Sequence, residues 1–175
     1  MKNILLVLGS ARRGRVADAI ASHVQSIVNT RDDISLTIAD LDALALPFFN
    51  NERTPSDPEY EITDPHVAKW SSLVEESDAV LFAMPEYNHT LSGIMKNAID
   101  SLYKEWSDKP TGVIAYGWYG GRHSLVTLRE IATVVKFDLK EPAQFYFTKD
   151  IAADGSIIED SEAKKKITAV LDQLI

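Results

Sequence analysis

Five short apolar runs, each followed by a stretch with helical spacing, constrain the fold of this chain more than any other feature. The runs are Ile4–Leu8, Ile34–Ile38, Ala79–Met84, Gly112–Tyr116 and Ala143–Phe147. After each run, apolar residues recur three or four positions apart, which is typical of the buried face of an amphipathic helix. This alternation predicts βαβ units and a parallel sheet that helices cover on both faces.

The order of these elements predicts an α/β, flavodoxin-like, doubly wound sheet. Five parallel strands in the order 2-1-3-4-5 satisfy the rule that crossover connections are right-handed. A length of 175 residues suits one domain, so we expect residues 1–175 to form a single flavodoxin-like unit. The polar, Pro-rich segment from Pro47 to Pro65 is expected to be a surface excursion after the second strand.

The amino-acid composition argues against several classes of function. The chain has no cysteine, which excludes disulfides, thiolate metal sites and cysteine nucleophiles, and we predict no metal centre. A formal charge of −8 argues against partners such as nucleic acid or an anionic membrane. The first apolar run is shorter than the roughly 7–15 residues of a secretory signal core. We therefore expect a cytoplasmic protein.

The loop after the first strand has the features of an anion site. It runs Gly9-Ser10-Ala11-Arg12-Arg13-Gly14-Arg15, and a helix begins near Val16. A helix N-terminus presents free N–H groups and the positive end of its dipole. Ser10 can donate a hydrogen bond, and Arg12 and Arg15 can each bind phosphate oxygens with two N–H groups. The spacing matches neither Gly-x-Gly-x-x-Gly nor a P-loop, and a solvated basic turn is the alternative.

The third loop, Pro85-Glu86-Tyr87-Asn88-His89-Thr90, follows the third strand. Ligands of doubly wound sheets bind where the strand order reverses, so this loop and the first one are predicted neighbours. The ring of Tyr87 suits an aromatic ligand, and the amides of residues 86 to 88 can bond a planar heterocycle. The alternative is an ordinary turn with a surface tyrosine. His89 is interpreted as a capping or surface residue.

The fourth loop follows the fourth strand and is rich in glycine and aromatic residues. It runs Gly117-Trp118-Tyr119-Gly120-Gly121-Arg122-His123. Its glycines would let the backbone pass close to a flat ligand. We expect ligand contact from the backbone of Gly117–Gly121 rather than from either aromatic ring. The alternative is a flexible loop whose aromatics pack on a neighbouring helix or subunit.

Together these segments resemble the NADPH-dependent FMN reductase family, over about residues 3 to 146. Gly9-Ser10-x-Arg12-x-Gly14-Arg15 is similar to the phosphate loop of that family. Pro85-Glu86-Tyr87-Asn88, with Gly93 and Lys96-Asn97-Ala98-Ile99-Asp100, is similar to its flavin-ring motif, and the Gly-rich stretch after Tyr116 to its third contact loop. Many members carry Ser at the position of Arg15 and Asn at that of Ala17, which leaves the contacts of those two side chains open.

The resemblance implies FMN as the cofactor and NADPH or NADH as the electron donor. Ser10, Arg12 and Arg15 would hold the FMN phosphate, the Pro85–Asn88 segment would border the flavin ring, and the Gly117–Gly121 segment would close its other side. The implied cofactor-binding residues are Ser10, Arg12, Arg15, Val16, Pro85, Glu86, Tyr87, Asn88, Gly117, Tyr119, Gly120 and Gly121.

The resemblance also implies a ping-pong reaction without a catalytic side chain. Hydride would pass from the nicotinamide to flavin N5 and then to a flavin, quinone, azo compound or similar small-molecule acceptor. Family members form homodimers or homotetramers through the helix that holds Lys96 to Asp100, where Trp106 is expected to pack. The physiological acceptor, the choice between NADPH and NADH, and the roles of Arg13, His89 and Arg122 stay open.

Three other functions are alternatives to a reductase. The main alternative is a non-enzymatic FMN-binding electron carrier of flavodoxin type, although flavodoxins usually have a phosphate loop rich in Ser and Thr without arginines. A flavodoxin-like hydrolase or deoxyribosyltransferase would need a placed nucleophile and acid, and the sequence does not provide such a pair. A receiver domain would need paired acidic residues where this chain has Gly9-Ser10.

Overall fold

Seven-residue strands form the centre of a parallel sheet. The computed structural model describes residues 1–175, and its elements in chain order are β1 (Lys2–Leu8), α1 (Ala17–Val28), β2 (Ile34–Asp40), α2 (Leu41–Leu44), α3 (Pro65–Glu75), β3 (Ala79–Pro85), α4 (Gly93–Asp100), a 3₁₀ turn (Lys104–Trp106), β4 (Pro110–Gly117), α5 (Arg122–Val135), β5 (Asp138–Leu139), β6 (Ala143–Tyr146) and α6 (Asp160–Leu171). The strand–helix alternation in the sequence is therefore confirmed, and the short helix α2 is an addition to it.

The strand order is β2-β1-β3-β4, with β5 and β6 beside β4, and every pairing is parallel. This confirms the predicted order 2-1-3-4-5, with one difference at the fifth position. There two short strands share the edge of β4: β5 pairs with Pro110 and Thr111, and β6 pairs with the residues from Ile114 to Gly117. Pro142, just before β6, has no N–H to donate to a continuous ladder, which fits an interruption at this place.

Both faces of the sheet are covered because its central strands are apolar on both faces. Alternate residues of β1 belong to different cores: Ile4, Leu6 and Leu8 pack with α1 and α6, whereas Leu5 and Val7 pack with α2, α3, α4 and α5. Successive side chains of a strand point to opposite faces, so an unbroken apolar run fills two cores.

One residue on the predicted buried face of α5 is exposed to solvent. The spacing of Leu125, Leu128, Ile131, Val134 and Val135 predicts one apolar face of α5, but Val134 is 65% exposed. The buried apolar positions of α5 are Leu125, Leu128 and Ala132. At about 100° per residue, Val134 lies roughly 200° from Ala132 and therefore points to solvent.

The segment after α2 runs over the surface, as predicted for Pro47 to Pro65. Residues 45 to 64 contain no helix or strand. Asn97 on α4 fixes the start of this segment: its Nδ2 donates to the carbonyl of Pro47 at 2.9 Å, and its Oδ1 accepts from the N–H of Phe49 at 3.0 Å. None of the helices combines the length and the apolar character needed to cross a bilayer.

Trp106 corrects an expectation about the subunit boundary. Its side chain is fully buried inside this chain, with its ring centroid 5.8 Å from that of Trp70, 6.1 Å from that of Phe82 and 5.0 Å from that of Phe137. Its indole N–H donates to the carbonyl of Ile99 at 3.1 Å. A ring packed in this way belongs to the core of the subunit and is not available to a partner.

Candidate active site

The loops after β1 and β3 meet at the carboxyl edge of the sheet. The hydroxyls of Ser10 and Tyr87 are 2.6 Å apart across 77 positions of sequence. Ser92, which caps α4, donates from Oγ to the carbonyl of Gly9 at 2.5 Å, and Gly9 donates to the carbonyl of Ala83 at 3.0 Å. The predicted juxtaposition of these two loops is therefore confirmed by direct hydrogen bonds.

A cavity of about 180 Å³ opens between these loops. Its walls come from the ends of β3 and β4 and from the loops that follow β1, β3, β4 and β6. The lining residues are Ser10, Arg12, Arg15, Val16, Pro85, Glu86, Tyr87, Tyr116, Trp118 and Phe147. Arg12, Val16, Trp118 and Phe147 also line an adjoining cavity of about 320 Å³ that reaches the segment from Thr148 to Gly155. The two spaces form one elongated groove from the first loop to the end of β6.

The first loop presents unpaired positive groups to this groove. The backbone N–H groups of Ala11, Arg13, Gly14, Arg15 and Val16 donate to no acceptor within the protein. The guanidinium of Arg12 is exposed and forms no salt bridge, and the only hydrogen bond of this residue joins its N–H to Ser10 Oγ at 3.4 Å. Unsatisfied amides before a helix, next to a free cation, can bind an anion such as a phosphate.

The guanidinium of Arg15 is paired within the protein. Its Nη1 and Nη2 bind the two carboxylate oxygens of Asp40 at 2.8 and 2.5 Å, and its Nε binds Asp18 at 2.9 Å. Nη1 also donates to the carbonyl of Ser10 at 2.8 Å, so four of the five N–H groups are occupied. The hydrogen bond from Arg15 holds the pKa of Asp40 below its ordinary value. Arg15 thus joins the first loop to the end of β2.

Tyr116, at the end of β4, carries the one buried side-chain polar atom without a hydrogen-bond partner. Tyr116 is 4% exposed, and it lines the same cavity as Ser10 and Arg12. Burial raises the pKa of this hydroxyl above its ordinary value and outweighs the lowering by Arg15 and the neighbouring Ser10, so the hydroxyl stays a neutral donor. A buried polar group without a partner costs about 1–3 kcal/mol, which a ligand oxygen at this position would offset.

The third loop offers fewer free amides than the sequence indicates. Glu86 N–H donates to the carbonyl of Tyr116 and Tyr87 N–H to that of Thr90, both at 3.0 Å. Only the N–H of Asn88, among the three predicted donors, has no protein acceptor. Asn88 is exposed, and its backbone is left-handed with φ of 49°.

The side chain of Glu86 binds the start of α5. Its Oε2 accepts from the N–H of His123 at 2.8 Å and its Oε1 from His123 Nδ1 at 3.0 Å. Burial alone would raise the pKa of Glu86, but these hydrogen bonds outweigh burial and lower it below its ordinary value. Glu86 is therefore an ionised residue that fixes the third loop to the fourth.

Two glycines of the fourth loop are required by packing inside the protein. A Cβ on Gly120 would lie 2.5 Å from the ring of Tyr146, and a Cβ on Gly121 would lie 2.7 Å from that of Ala115. Their φ values are 63° and 72°, which also favours glycine. Gly117, Tyr119, Gly120 and Gly121 lie outside the lining of the cavity, whereas the ring of Trp118 borders it.

A larger cavity of about 430 Å³ lies under the surface segment from Pro47 to Asp64. None of its lining residues belongs to the three loops, and it contains no unpartnered buried donor. The smaller cavity is the better candidate because three loops, free amides and an unpaired hydroxyl meet there.

Comparison with known proteins shows the family of this chain. The model of the family described as NADPH-dependent FMN reductase matches residues 2–152. The chain belongs to this family. Among FMN reductase homologues, it is 34% identical to the NAD(P)H-dependent FMN reductase ntnL of Nectria sp. over 142 residues, 77% of this chain and 69% of that protein.

Two further homologues match nearly the whole of this chain. The NAD(P)H:quinone oxidoreductase of Solanum tuberosum is 31% identical over 93% of this chain and 86% of its own. The structure of FerB, a flavoenzyme NAD(P)H:(acceptor) oxidoreductase from Paracoccus denitrificans, superimposes with a TM-score of 0.75 at 26% identity, and covers 99% of this chain and 96% of that one. The chain is therefore an NAD(P)H-dependent oxidoreductase homologue with the fold predicted from its sequence.

Three cavity residues of this FMN reductase homologue were not among the predicted site residues: Tyr116, Trp118 and Phe147. The position of Tyr116 as the last apolar residue of a strand is the one sequence signal that could have identified it, because strand ends border the site in this fold. Trp118 and Phe147 lie on different loops, and their edge-to-face contact at 5.3 Å depends on the tertiary fold.

Proposed function

We propose that this chain binds FMN in the groove between its loops and catalyses the NAD(P)H-dependent reduction of a small-molecule acceptor such as a flavin, quinone or azo compound. The observation that carries this proposal is the coincidence of three features in one cavity. Free amides and the unpaired Arg12 supply the positive charge, and the buried hydroxyl of Tyr116 lacks a partner. A phosphate-bearing ligand would satisfy all three.

In this proposal the FMN phosphate binds at the first loop. The amides of residues 11 to 16, Ser10 and Arg12 would hold the phosphate oxygens, and the buried Tyr116 would donate to an oxygen of the same ligand. Val16 would contribute its N–H at the start of α1. Arg15 would keep the loop in place through Asp40, and it would leave Arg12 as the cation that meets the phosphate.

The flavin ring would lie beyond the phosphate, in the part of the groove bordered by Pro85, Tyr87 and Trp118. Apolar and aromatic walls such as these suit a flat heterocycle. Asn88 and the exposed backbone of the fourth loop, Gly117 to Gly121 with Tyr119, would add hydrogen bonds or contacts at the rim. When bound, FMN supplies the hydride chemistry, so the protein has to bind the ring, orient it and leave one face open.

Because donor and acceptor would use the same open face in turn, we expect ping-pong kinetics with NADPH or NADH as the donor. The decisive experiment mixes the purified protein with FMN and NADPH under argon and follows flavin absorbance. Rapid bleaching, followed by recovery when a quinone is added, supports a reductase. Bound FMN that NADPH and NADH bleach no faster than free FMN would indicate the electron-carrier alternative.

We further propose a homodimer or homotetramer assembled around α4. Phe48, 83% exposed, lies in the segment that Asn97 fixes to that helix. An exposed aromatic on an ordered segment is suited to an interface. Sedimentation of the wild type should give a multiple of the 19.4 kDa chain mass, and Phe48→Asp should lower it. A monomeric wild type would contradict this assembly.

A further inference from the structure

Two imidazoles and a carboxylate meet at the outer side of the third and fourth loops. The rings of His89 and His123 are stacked, with centroids 4.0 Å apart and planes 20° from parallel. Tyr119 packs edge-on against both rings, at 5.8 and 5.5 Å. Glu86 lies beside His123, and the ligand atoms of Glu86, His89 and His123 all lie within 4.8 Å of one another.

We propose that Glu86, His89 and His123 form a binding site for a divalent transition-metal ion of the Zn²⁺ class. The site would adjoin the proposed FMN cavity, which Glu86 also lines. It joins the loop after β3 to the start of α5, two segments more than thirty residues apart in sequence, and so it is absent from any local sequence pattern.

The spacing of the ligand atoms suits such an ion. Metal–ligand distances of about 2.0–2.2 Å in a tetrahedral site place the ligand atoms about 3.3–3.5 Å apart. Glu86 Oε1 and His123 Nδ1 are already 3.0 Å apart. Because all the ligand atoms lie within 4.8 Å of one another, the third ligand has to move inward by at most about 1.5 Å to reach the tetrahedral spacing. His89 is exposed and can make this movement.

The side chains of Glu86 and His123 are held in place before an ion binds, whereas only the backbone of His89 is fixed. The Oε2 atom of Glu86 accepts from the N–H of His123 at the N-terminus of α5, which orients the carboxylate. The ion would take the place of the proton between Oε1 and His123 Nδ1, and that proton would be released to solvent. The backbone of His89 is left-handed, with φ of 64°, in a turn closed by reciprocal hydrogen bonds between Tyr87 and Thr90. Orientation of ligands by neighbouring hydrogen bonds is typical of metal sites.

The donor set selects the class of ion. Two imidazole nitrogens and one carboxylate oxygen favour Zn²⁺, Cu²⁺ or Ni²⁺ over Ca²⁺ or Mg²⁺, which require more oxygen ligands. The carboxylate offsets one charge of the ion. Arg122 opposes binding, because its Nε is 3.4 Å from His123 Nε2. Its side chain also lies over the ring of Tyr119, with Cζ 5.1 Å from the centroid, so it is partly directed away from the site.

The test is a calorimetric titration of ZnCl₂ into the full-length, tag-free protein in a buffer that does not bind zinc. We expect one equivalent to bind to the wild type. His89→Ala, His123→Ala and Glu86→Gln should each weaken binding at least about tenfold, and Arg122→Gln should strengthen it. A matched control is His23→Ala, because His23 also pairs with a carboxylate, that of Asp160 at 3.0 Å, but has no second imidazole beside it.

A second measurement locates the ion independently of the variants. On addition of zinc, the ¹⁵N resonances of the His89 and His123 rings should shift, while those of His23 and His66 should not. The inference is overturned if the wild type binds no zinc, if His89→Ala binds it as tightly as the wild type, or if His23→Ala loses as much affinity as the other variants.

Discussion

Asp40→Asn tests the role assigned to Arg15 most sharply. In the structure the Asp40 carboxylate takes two N–H groups of Arg15, and a third N–H of the same guanidinium supports the carbonyl of Ser10. The substitution keeps the shape of Asp40 and the amide oxygen that can still accept from Asp42 N–H at the start of α2. It removes the charge that holds Arg15, and therefore should loosen the FMN phosphate loop.

The magnitude follows from the exposure of the pair. The side chains of Arg15 and Asp40 are 14% and 29% exposed, between a surface pair worth about 0–1 kcal/mol and a buried pair whose disruption costs about 3–5 kcal/mol. A value of about 1.5 kcal/mol is reasonable for a charged, two-fold hydrogen bond in this setting. If the whole of this free energy is lost from FMN binding, the dissociation constant for FMN rises about tenfold.

The assay is the quenching of FMN fluorescence on titration with FMN-free protein. We expect Asp40→Asn and Arg15→Ala to weaken binding by similar factors, and the double variant to be no weaker than either one. Asp18→Asn is the control: Asp18 also binds Arg15, but its side chain is 62% exposed, so its loss should change affinity by less than about twofold.

A direct contact between Arg15 and the phosphate predicts the opposite effect of Asp40→Asn on FMN affinity. If Arg15 binds the phosphate directly, releasing it from Asp40 should leave FMN affinity unchanged or increase it, while Arg15→Ala still decreases it. Tighter FMN binding by Asp40→Asn would therefore refute the positioning role and return Arg15 to the phosphate contact that the family resemblance implies.

Four further outcomes follow from the same contacts. Arg12→Ala should weaken FMN binding by about 1.5–3 kcal/mol, the value of a charged hydrogen bond, and an unchanged dissociation constant would remove Arg12 from the site. Tyr116→Phe should weaken FMN binding yet stabilise the FMN-free protein against urea, because the unpartnered buried hydroxyl is gone; a less stable FMN-free variant would contradict this. Gly120→Ala should lower the free energy of unfolding by about 1–3 kcal/mol, since its Cβ would meet the ring of Tyr146, and wild-type stability would refute the clash. Because the pKa of Asp40 is lowered by folding, its stabilisation is complete at neutral pH and is lost as the pH falls below about 4, so urea unfolding at several pH values should show a smaller acid loss in Asp40→Asn than in the wild type.

The sequence was sufficient to predict the fold because the apolar pattern is strong in the strands and helices that form the core. Runs such as Ile4–Leu8 are buried on both faces, and only a central parallel strand under two helical layers has that property. The split between β5 and β6 was beyond the sequence, because β5 is only two residues long. The exposure of Val134 was missed because an apolar residue was taken as a buried one.

The location of the site could be predicted from the sequence, but several of its side-chain contacts could not. Strand ends brought Ser10 and Tyr87 together, as the strand order requires. The partner of Arg15 could not be read from the sequence because Asp40 lies 25 positions away, at the end of another strand. For the same reason the meeting of His89 with His123 and the unpaired state of the Tyr116 hydroxyl depend on tertiary packing.

The comparison of FMN with riboflavin tests the central proposal most directly, because the two ligands differ only in the phosphate. If the first loop is an anion site, two charged hydrogen bonds of about 1.5 kcal/mol each make FMN bind at least about 100-fold more tightly than riboflavin. Equal affinity for the two flavins, or no binding of FMN at all, would contradict the account.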